Sequence, residues 1–271
     1  MSLVHQQSIL LLALILIFLA TVEIGFRLGQ RMNVATDELR HEQLASARDA
    51  IGLLVSLLLG FTLAMAFSRF EQRKQMIVDE ANSIGTTSMR AQMLPEPTRG
   101  KMVGLLRAYV DARIRFSEAP LDSQDFNLAV AKAKKLQNDI WALSVDVART
   151  NPNAITSLFV QSLNDSIDMS EKRLSILENR VPNPIWIMPT LISLLTCLTV
   201  GMTVRRRFWF VMAITPLMIS VVMALIADLN SPRSGFLQTG RQSIQRLQQD
   251  MRGDNHGLRV PFCSLGILRC A

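Results

Sequence analysis

The sequence predicts an all-α membrane protein with four transmembrane helices and a helical extramembrane domain inserted between helices two and three. Three observations predict this fold class. Hydrophobic residues make up 49% of the 271 residues, and the mean hydropathy is +0.25, which is high for a soluble protein. Four separate stretches are apolar over the length of a membrane-spanning helix. The long polar stretch between the second and the third has apolar residues at helical spacing, without strand-like alternation.

Each of the four apolar stretches reaches about 20 residues, the number that a helix needs to cross a hydrocarbon core of about 30 Å. The first stretch has a second interpretation as a secretory signal peptide. No Lys or Arg precedes it, no small-residue cleavage site follows it, and it exceeds the about 7–15 apolar residues of a signal peptide, so we expect a retained span. The predicted spans are Ser8 to Phe26, Ala50 to Phe67, Pro184 to Val204 and Phe208 to Leu229.

The second span has no stop signal at its end. In "FTLAMAFSRFEQRKQMIVDEANSIGT", residues 61–86, the apolar character gives way to charge, yet no Pro or Gly occurs before Gly85. The sequence therefore predicts that this helix continues out of the membrane and provides an apolar face for the helices of the insert.

The insert reads as helices separated by short breaks. Pro95 and Pro97 end one helix, Thr98 is a candidate start of the next, and Ser123 is a candidate N-cap. "RTNPNA" ends a further helix near Asn151. We divide the chain into a transmembrane pair at 8–68, an insert at 69–183 continuous with helix two, a second transmembrane pair at 184–229, and a tail at 230–271 whose end we expect to be poorly ordered.

The distribution of basic residues indicates the partners and the membrane orientation that we expect. The net charge of +7 comes from scattered basic residues, which suits loops beside anionic lipid better than a nucleic-acid surface, so we expect no nucleic-acid partner. We expect a multi-pass protein of the cell (inner) membrane. The short turn Arg205 to Arg207 and the loop from Arg27 to Asp49 share one face of the bilayer, and their arginines favour that face as cytoplasmic and the insert as external.

No residue pattern indicates an enzyme. The three histidines His5, His41 and His256 are far apart, and the sequence has no HExxH spacing, no GxSxG elbow and no phosphate-binding glycine loop. Cys197 lies in an apolar run and the other two cysteines in the tail, without a CxxC pair. We therefore predict no catalytic residue, no cofactor and no metal site.

Two sets of charges lie near the membrane interfaces. Glu23 precedes Arg27 by four residues on one helical face, which favours an ion pair; the alternative is a functional intramembrane acid. Asp228 lies near the C-terminal, electronegative end of the fourth span and needs a compensating cation, for which Arg69 and Arg233 are the candidates. A structural salt bridge and a gate contact are the two interpretations of Asp228.

One row of apolar residues is a candidate pore lining. Leu57, Phe61 and Met65 recur at four-residue steps in the second span, beside the small residues Ser56 and Gly60. In an oligomer, such a row would form an apolar constriction that gates by dewetting. The alternative is that these side chains face lipid or pack inside the chain. Just beyond this span, Asp79 and Glu80 point in different directions, so we expect one in solvent and the other paired with Arg113 or Arg115.

Three motifs resemble the bestrophin-like domain family of bacterial membrane proteins. They are "EIGFRLG" from Glu23, "LLLGFTLAMAFSRFEQRKQMIVDEANSIGT" from Leu57, and "ADLNSPRSGF" from Ala227, and the similar region ends near Gly240. The resemblance implies the plan of bestrophins, which are pentameric anion channels with four spans per subunit and a cytoplasmic helical insert between spans two and three. Nothing in the sequence resembles the acidic calcium clasp of bestrophins, so calcium gating is not implied.

The sequence thus supports two functional hypotheses. The first is a homo-oligomeric anion channel or transport protein in the lipid bilayer, with inorganic anions as its substrates. The second is a non-conducting membrane protein whose insert senses a signal or binds a protein partner.

Overall fold

The chain is helical throughout the part that the computed structural model describes, namely residues 2–34, 36–121, 123–178, 184–231 and 242–253. Those residues contain no strand, which confirms the all-α prediction. Arg233, Cys263, Cys270 and the end of the predicted tail lie outside the described residues. The helices are α1 (Ser2–Arg31), α2 (Glu38–Ala91), α3 (Thr98–Glu118), α4 (Gln124–Thr150), α5 (Ala154–Glu178), α6 (Pro184–Thr203), α7 (Trp209–Asn230) and α8 (Gln242–Arg252).

The predicted continuity of the second span is confirmed. Helix α2 runs for 54 residues without a break, more than twice the length that crosses a membrane. The chain divides into two compact units, and α2 contributes to both. Unit 1 consists of Met1–Gln75 and Arg173–Thr239, and unit 2 consists of Met76–Lys172 and Gly240–Ala271.

The four-span prediction is also confirmed, because four helices are long and apolar enough to cross a membrane. Their outward faces keep large apolar side chains exposed, as a helix surrounded by lipid requires. Pro189 and Pro216 lie inside α6 and α7, and the Ser220 hydroxyl donates to the carbonyl of Pro216 at 2.7 Å. The candidate spans are Ser8–Arg31, Glu38–Ala91, Trp186–Thr203 and Met212–Asn230.

Unit 1 is built around a close contact between α1 and α6. A Cβ on Gly201 would lie 2.8 Å from the Phe26 nitrogen, and a Cβ on Gly29 would lie 2.9 Å from the Met202 Cα. Glycine therefore allows the two backbones to touch, as small residues do in membrane helix pairs. Helix α1 also contacts α7. The buried core of this unit contains Phe18, Val22, Phe26, Val55, Leu59, Cys197, Met212, Ile219 and Met223.

Unit 2 is a helical domain with its own core, in which α3 packs against α4 and α8. The Ser123 hydroxyl accepts from the Phe126 amide at 3.1 Å, so the predicted N-cap of α4 is confirmed. Helix α3 begins at Thr98 as predicted, but without a side-chain cap. The Glu96 carboxylate instead accepts from the Gly100 amide at 3.2 Å.

Helix α8 is an element that the sequence analysis did not identify. Ile244 is buried, and Leu247 and Met251 pack against the core of unit 2. The Gln248 amide and the Arg252 guanidinium donate to Asp111 of α3 at 2.6 and 2.9 Å. Helix α8 therefore packs with α3, so unit 2 contains helices from both sides of α6 and α7 in the sequence.

Candidate functional site

The predicted pore-lining side chains lie on an exposed face of α2. Leu57, Phe61 and Met65 are 55%, 65% and 45% exposed, whereas Val55 and Leu59 are buried in the core of unit 1. Residues four apart on a helix share one side, so the three form a continuous apolar row. We name Leu57, Phe61 and Met65 the α2 row. Its area is available to lipid or to another copy of the chain.

A second row of small residues, which we name the glycine row, runs beside it. Gly52, Ser56 and Gly60 are also four residues apart, and each precedes a large apolar residue by one position. A Cβ built on Gly52 or Gly60 would meet no atom of the described residues within 4 Å. In that part of the chain these glycines therefore make no close packing, in contrast to Gly201, and they leave a surface on which another helix could approach closely.

The ionic residues at the end of α1 form a three-membered cluster. Glu23 Oε1 lies 2.8 Å from Arg27 Nε and 2.8 Å from Arg207 Nη2. The sequence spacing led us to expect the first contact but not the second. The sequence feature that could have indicated the contact between Arg207 and Glu23 is the location of Arg207 in a turn on the same predicted membrane face as Arg27. The Arg207 guanidinium also lies 5.1 Å from the centre of the Phe26 ring, so one arginine joins α1 to the start of α7.

At the other end of the spans, Arg73 contacts the end of α7. Its buried side chain donates from Nη2 to the carbonyl of Leu229. A guanidinium at this position stabilises the electronegative C-terminus of α7. Arg69 lies with Met65, Trp186 and Asn230 around a small cavity.

Asp228 is buried at 5% exposure. Arg233, one of the two cations that we considered as its partner, lies outside the described residues. The roles of Asp228 and Arg69 therefore stay predictions.

Unit 2 contains a buried ion pair. Glu80 on α2 is 0% exposed and its Oε1 lies 2.5 Å from Arg113 Nη2 on α3. Arg113 is one of the two partners that the sequence predicts for an acid at this position. The guanidinium also lies 4.2 Å from the centre of the Phe116 ring, a cation–π geometry. This buried pair joins α2 to α3.

Polar side chains surround the core of unit 2. The Gln137 amide donates to the Tyr109 hydroxyl at 3.1 Å and to the Ser170 hydroxyl at 2.5 Å. Burial raises the pKa of Tyr109, and the charge of Glu80 adds to this effect, while Arg113 and the hydrogen bonds oppose it. Thr87 donates to the Ser162 carbonyl at 2.8 Å, which joins α2 to α5. These contacts hold the helices together, and within the described residues no group of His, Cys, Asp and Glu side chains could bind a metal.

Comparison with known proteins identifies the family. The sequence model of the Bestrophin-like domain matches residues 12–244, which is most of the chain. The protein belongs to the Bestrophin-like domain family. The match confirms the resemblance that the three motifs indicate, and it extends from α1 to the start of α8.

Solved structures show the same fold for this Bestrophin-like protein. A crystal structure of a bacterial bestrophin homolog from Klebsiella pneumoniae is 14% identical, with a TM-score of 0.63, and the match covers 88% of this chain and 98% of that chain. A single-residue variant of that homolog is 13% identical, with a TM-score of 0.65, and the match covers 90% and 97% of the two chains. Comparison with curated proteins finds no match. At these identities the likeness shows the fold alone.

Proposed function

We propose that this Bestrophin-like protein is an oligomeric membrane channel for inorganic anions, and that the α2 row lines its pore. The observation that carries the proposal is the pair of neighbouring rows on α2. The apolar side chains of the α2 row are exposed in the single chain, and the glycine row beside them leaves open space. On a helix, each residue advances by about 100°, so the two rows lie on adjacent faces.

An assembly of several copies uses both rows. The glycine row of one α2 packs closely against a neighbouring copy, as small residues do in membrane helix contacts. The α2 row then faces the axis of the ring. Three apolar layers of Leu57, Phe61 and Met65 form a constriction that holds little water, and conduction depends on how often it is wetted. The family resemblance, through the bestrophin anion channels, supports anions as the permeant species.

The test is chloride flux through purified protein in liposomes. Phe61→Ala is expected to raise flux severalfold, because a wider and less apolar constriction is wetted more often. Leu16→Ala is the control, since Leu16 is 59% exposed and lies on α1 rather than on either row of α2. Equal flux for the two variants would contradict a pore role for the α2 row. A well-folded oligomer without any flux would favour the hypothesis of a non-conducting sensor or binding protein.

The proposal includes an orientation. We place the turn of Arg205 to Arg207 in the cytoplasm and the insert outside, because short arginine-rich turns are the strongest determinants of orientation. A membrane-impermeant maleimide should label Lys135→Cys, an exposed position of α4, from outside intact cells, with Cys263 and Cys270 replaced by Ser. Labelling only after permeabilisation would reverse the orientation and would agree with the bestrophin arrangement.

A further inference from the structure

One end of unit 1 collects positive charge around a single acid. Glu23 contacts both Arg27 and Arg207, and Arg31 follows Arg27 by one helical turn. Arg205 precedes this contact in the same turn as Arg206, and both are exposed. Among the described residues, neither of these two makes an ion pair. Two guanidinium groups therefore share the Glu23 carboxylate, and three further arginines lie one helical turn away on α1 or in the same turn as Arg207.

Other acids at this end do not neutralise the cluster. Asp37 pairs with Arg40 at 3.0 Å, and Asp49 pairs with Arg48 at 2.8 Å. Glu38 and Glu42, at the start of α2, make no ion pair with the arginines of the cluster within the described residues. The excess of positive charge on the turn is thus available to a partner with negative charge.

The location of the cluster indicates which partner this is. The apolar run of α1 ends at Phe26, that of α2 begins at Ala50, that of α6 ends at Val204 and that of α7 begins at Phe208. The arginines therefore lie where the apolar surface of the spans stops, which is the level of lipid headgroups. Phe208, Trp209 and Phe210 follow them directly and are 69%, 63% and 77% exposed, as aromatic residues of a membrane interface are.

We propose that this surface, formed by Arg27, Arg31 and the residues from Arg205 to Phe210, binds the headgroup of an anionic phospholipid in preference to a zwitterionic one. We call it the arginine–aromatic turn. The guanidinium groups of Arg205 and Arg206 supply paired N–H donors that match the oxygens of a phosphate. The exposed rings insert beside the acyl chains and hold the turn at the depth of that phosphate. The proposal is independent of conduction.

The test uses Trp209 as a reporter at the site itself. The chain has three tryptophans, and Trp141→Phe with Trp186→Phe leaves Trp209 alone. The protein is reconstituted into vesicles of unlabelled lipid that contain either brominated phosphatidylglycerol or brominated phosphatidylcholine. The extent to which each brominated lipid quenches Trp209 fluorescence gives its binding constant relative to the other. With about 1 kcal/mol for each of two arginines, phosphatidylglycerol should be preferred roughly thirtyfold.

Two variants separate this site from a general charge effect. Arg205→Gln with Arg206→Gln should reduce the preference to near one, whereas Lys101→Gln with Arg107→Gln, exposed on α3 of unit 2, should leave it unchanged. Equal quenching by the two lipids in the protein with both arginines intact would overturn the proposal without reference to any variant. Loss of the preference in inorganic phosphate, but not in sodium chloride of the same ionic strength, would overturn it as well, because the site would then bind free phosphate rather than a lipid headgroup.

Discussion

Glu80→Gln tests whether the buried ion pair organises unit 2. The substitution keeps the size of the side chain but leaves the Arg113 guanidinium charged at a position that is 5% exposed. Removing one partner of a buried pair costs about 3–5 kcal/mol, because the remaining charge keeps its desolvation penalty. Lys134→Gln is the matched control. It removes one partner of the exposed pair between Lys134 and Glu171, which are 2.6 Å apart, and should cost about 0–1 kcal/mol.

The assay follows Trp141, the tryptophan of unit 2, with Trp186 and Trp209 replaced by Phe. Its fluorescence during unfolding in urea reports the free energy of unfolding of that unit. The double variant Glu80→Met with Arg113→Met should recover much of the free energy of unfolding that Glu80→Gln loses, because apolar side chains of similar length carry no desolvation penalty. It does not recover the cation–π contact between Arg113 and Phe116. The reasoning would be refuted if Glu80→Gln cost no more than Lys134→Gln.

Three further predictions concern packing, pH and capping. Gly201→Ala should destabilise unit 1 by about 1–3 kcal/mol, because the new Cβ would lie against the backbone of α1. Gly104→Ala is the control and should be neutral or slightly stabilising, because a Cβ there meets none of the described atoms within 4 Å. Thermal unfolding of both variants measures the difference. The pKa of Tyr109 is raised in the folded state, so the folded protein holds the phenol proton more tightly than the unfolded chain does. The free energy of unfolding should therefore be constant in this respect below pH about 10, the ordinary pKa of tyrosine, and fall at higher pH. Absorbance at 295 nm should show the one tyrosine of the chain ionising later in the folded than in the unfolded protein, and a coincident titration would contradict the prediction. Ser123→Ala should cost about 1 kcal/mol in urea unfolding, because the Phe126 amide loses its acceptor, and an unchanged midpoint would mean that the cap is not needed.

The helices were largely predictable because their signals are local. An apolar run of about 20 residues has few alternatives to a membrane helix. The absence of Pro and Gly between Phe67 and Gly85 was sufficient to predict that α2 continues. Helix α8 carries a similar signal in Ile244, Leu247 and Met251, but it is only 11 residues long. A helix of that length is marginal unless its apolar face is packed, and the packing partner cannot be read from local sequence.

The contacts of the candidate site were predictable in full only where both partners lie on one helix; the pair of Glu80 and Arg113, between α2 and α3, was predicted as one of several alternatives. Glu23 and Arg27 are four residues apart, so helical geometry alone brings them together. Arg207 reaches the same carboxylate from 184 positions away, and only the packing of α1 with α7 places it there. The same reasoning explains Arg73, whose contact with the Leu229 carbonyl depends on where α7 ends. The sequence shows that residue 201 is a glycine, but it does not show that α1 packs against this position.

The contribution of α8 to unit 2 affects the order of events during biosynthesis. The core of this unit contains residues from both sides of the second transmembrane pair, so its last packing element leaves the ribosome only after α6 and α7 have been made. At about 5–20 residues per second, the nascent domain waits on the order of several seconds for that element. During this interval the apolar surface that Ile244 later covers is open, and a chaperone that binds exposed apolar surface has a defined period in which to act on the nascent chain.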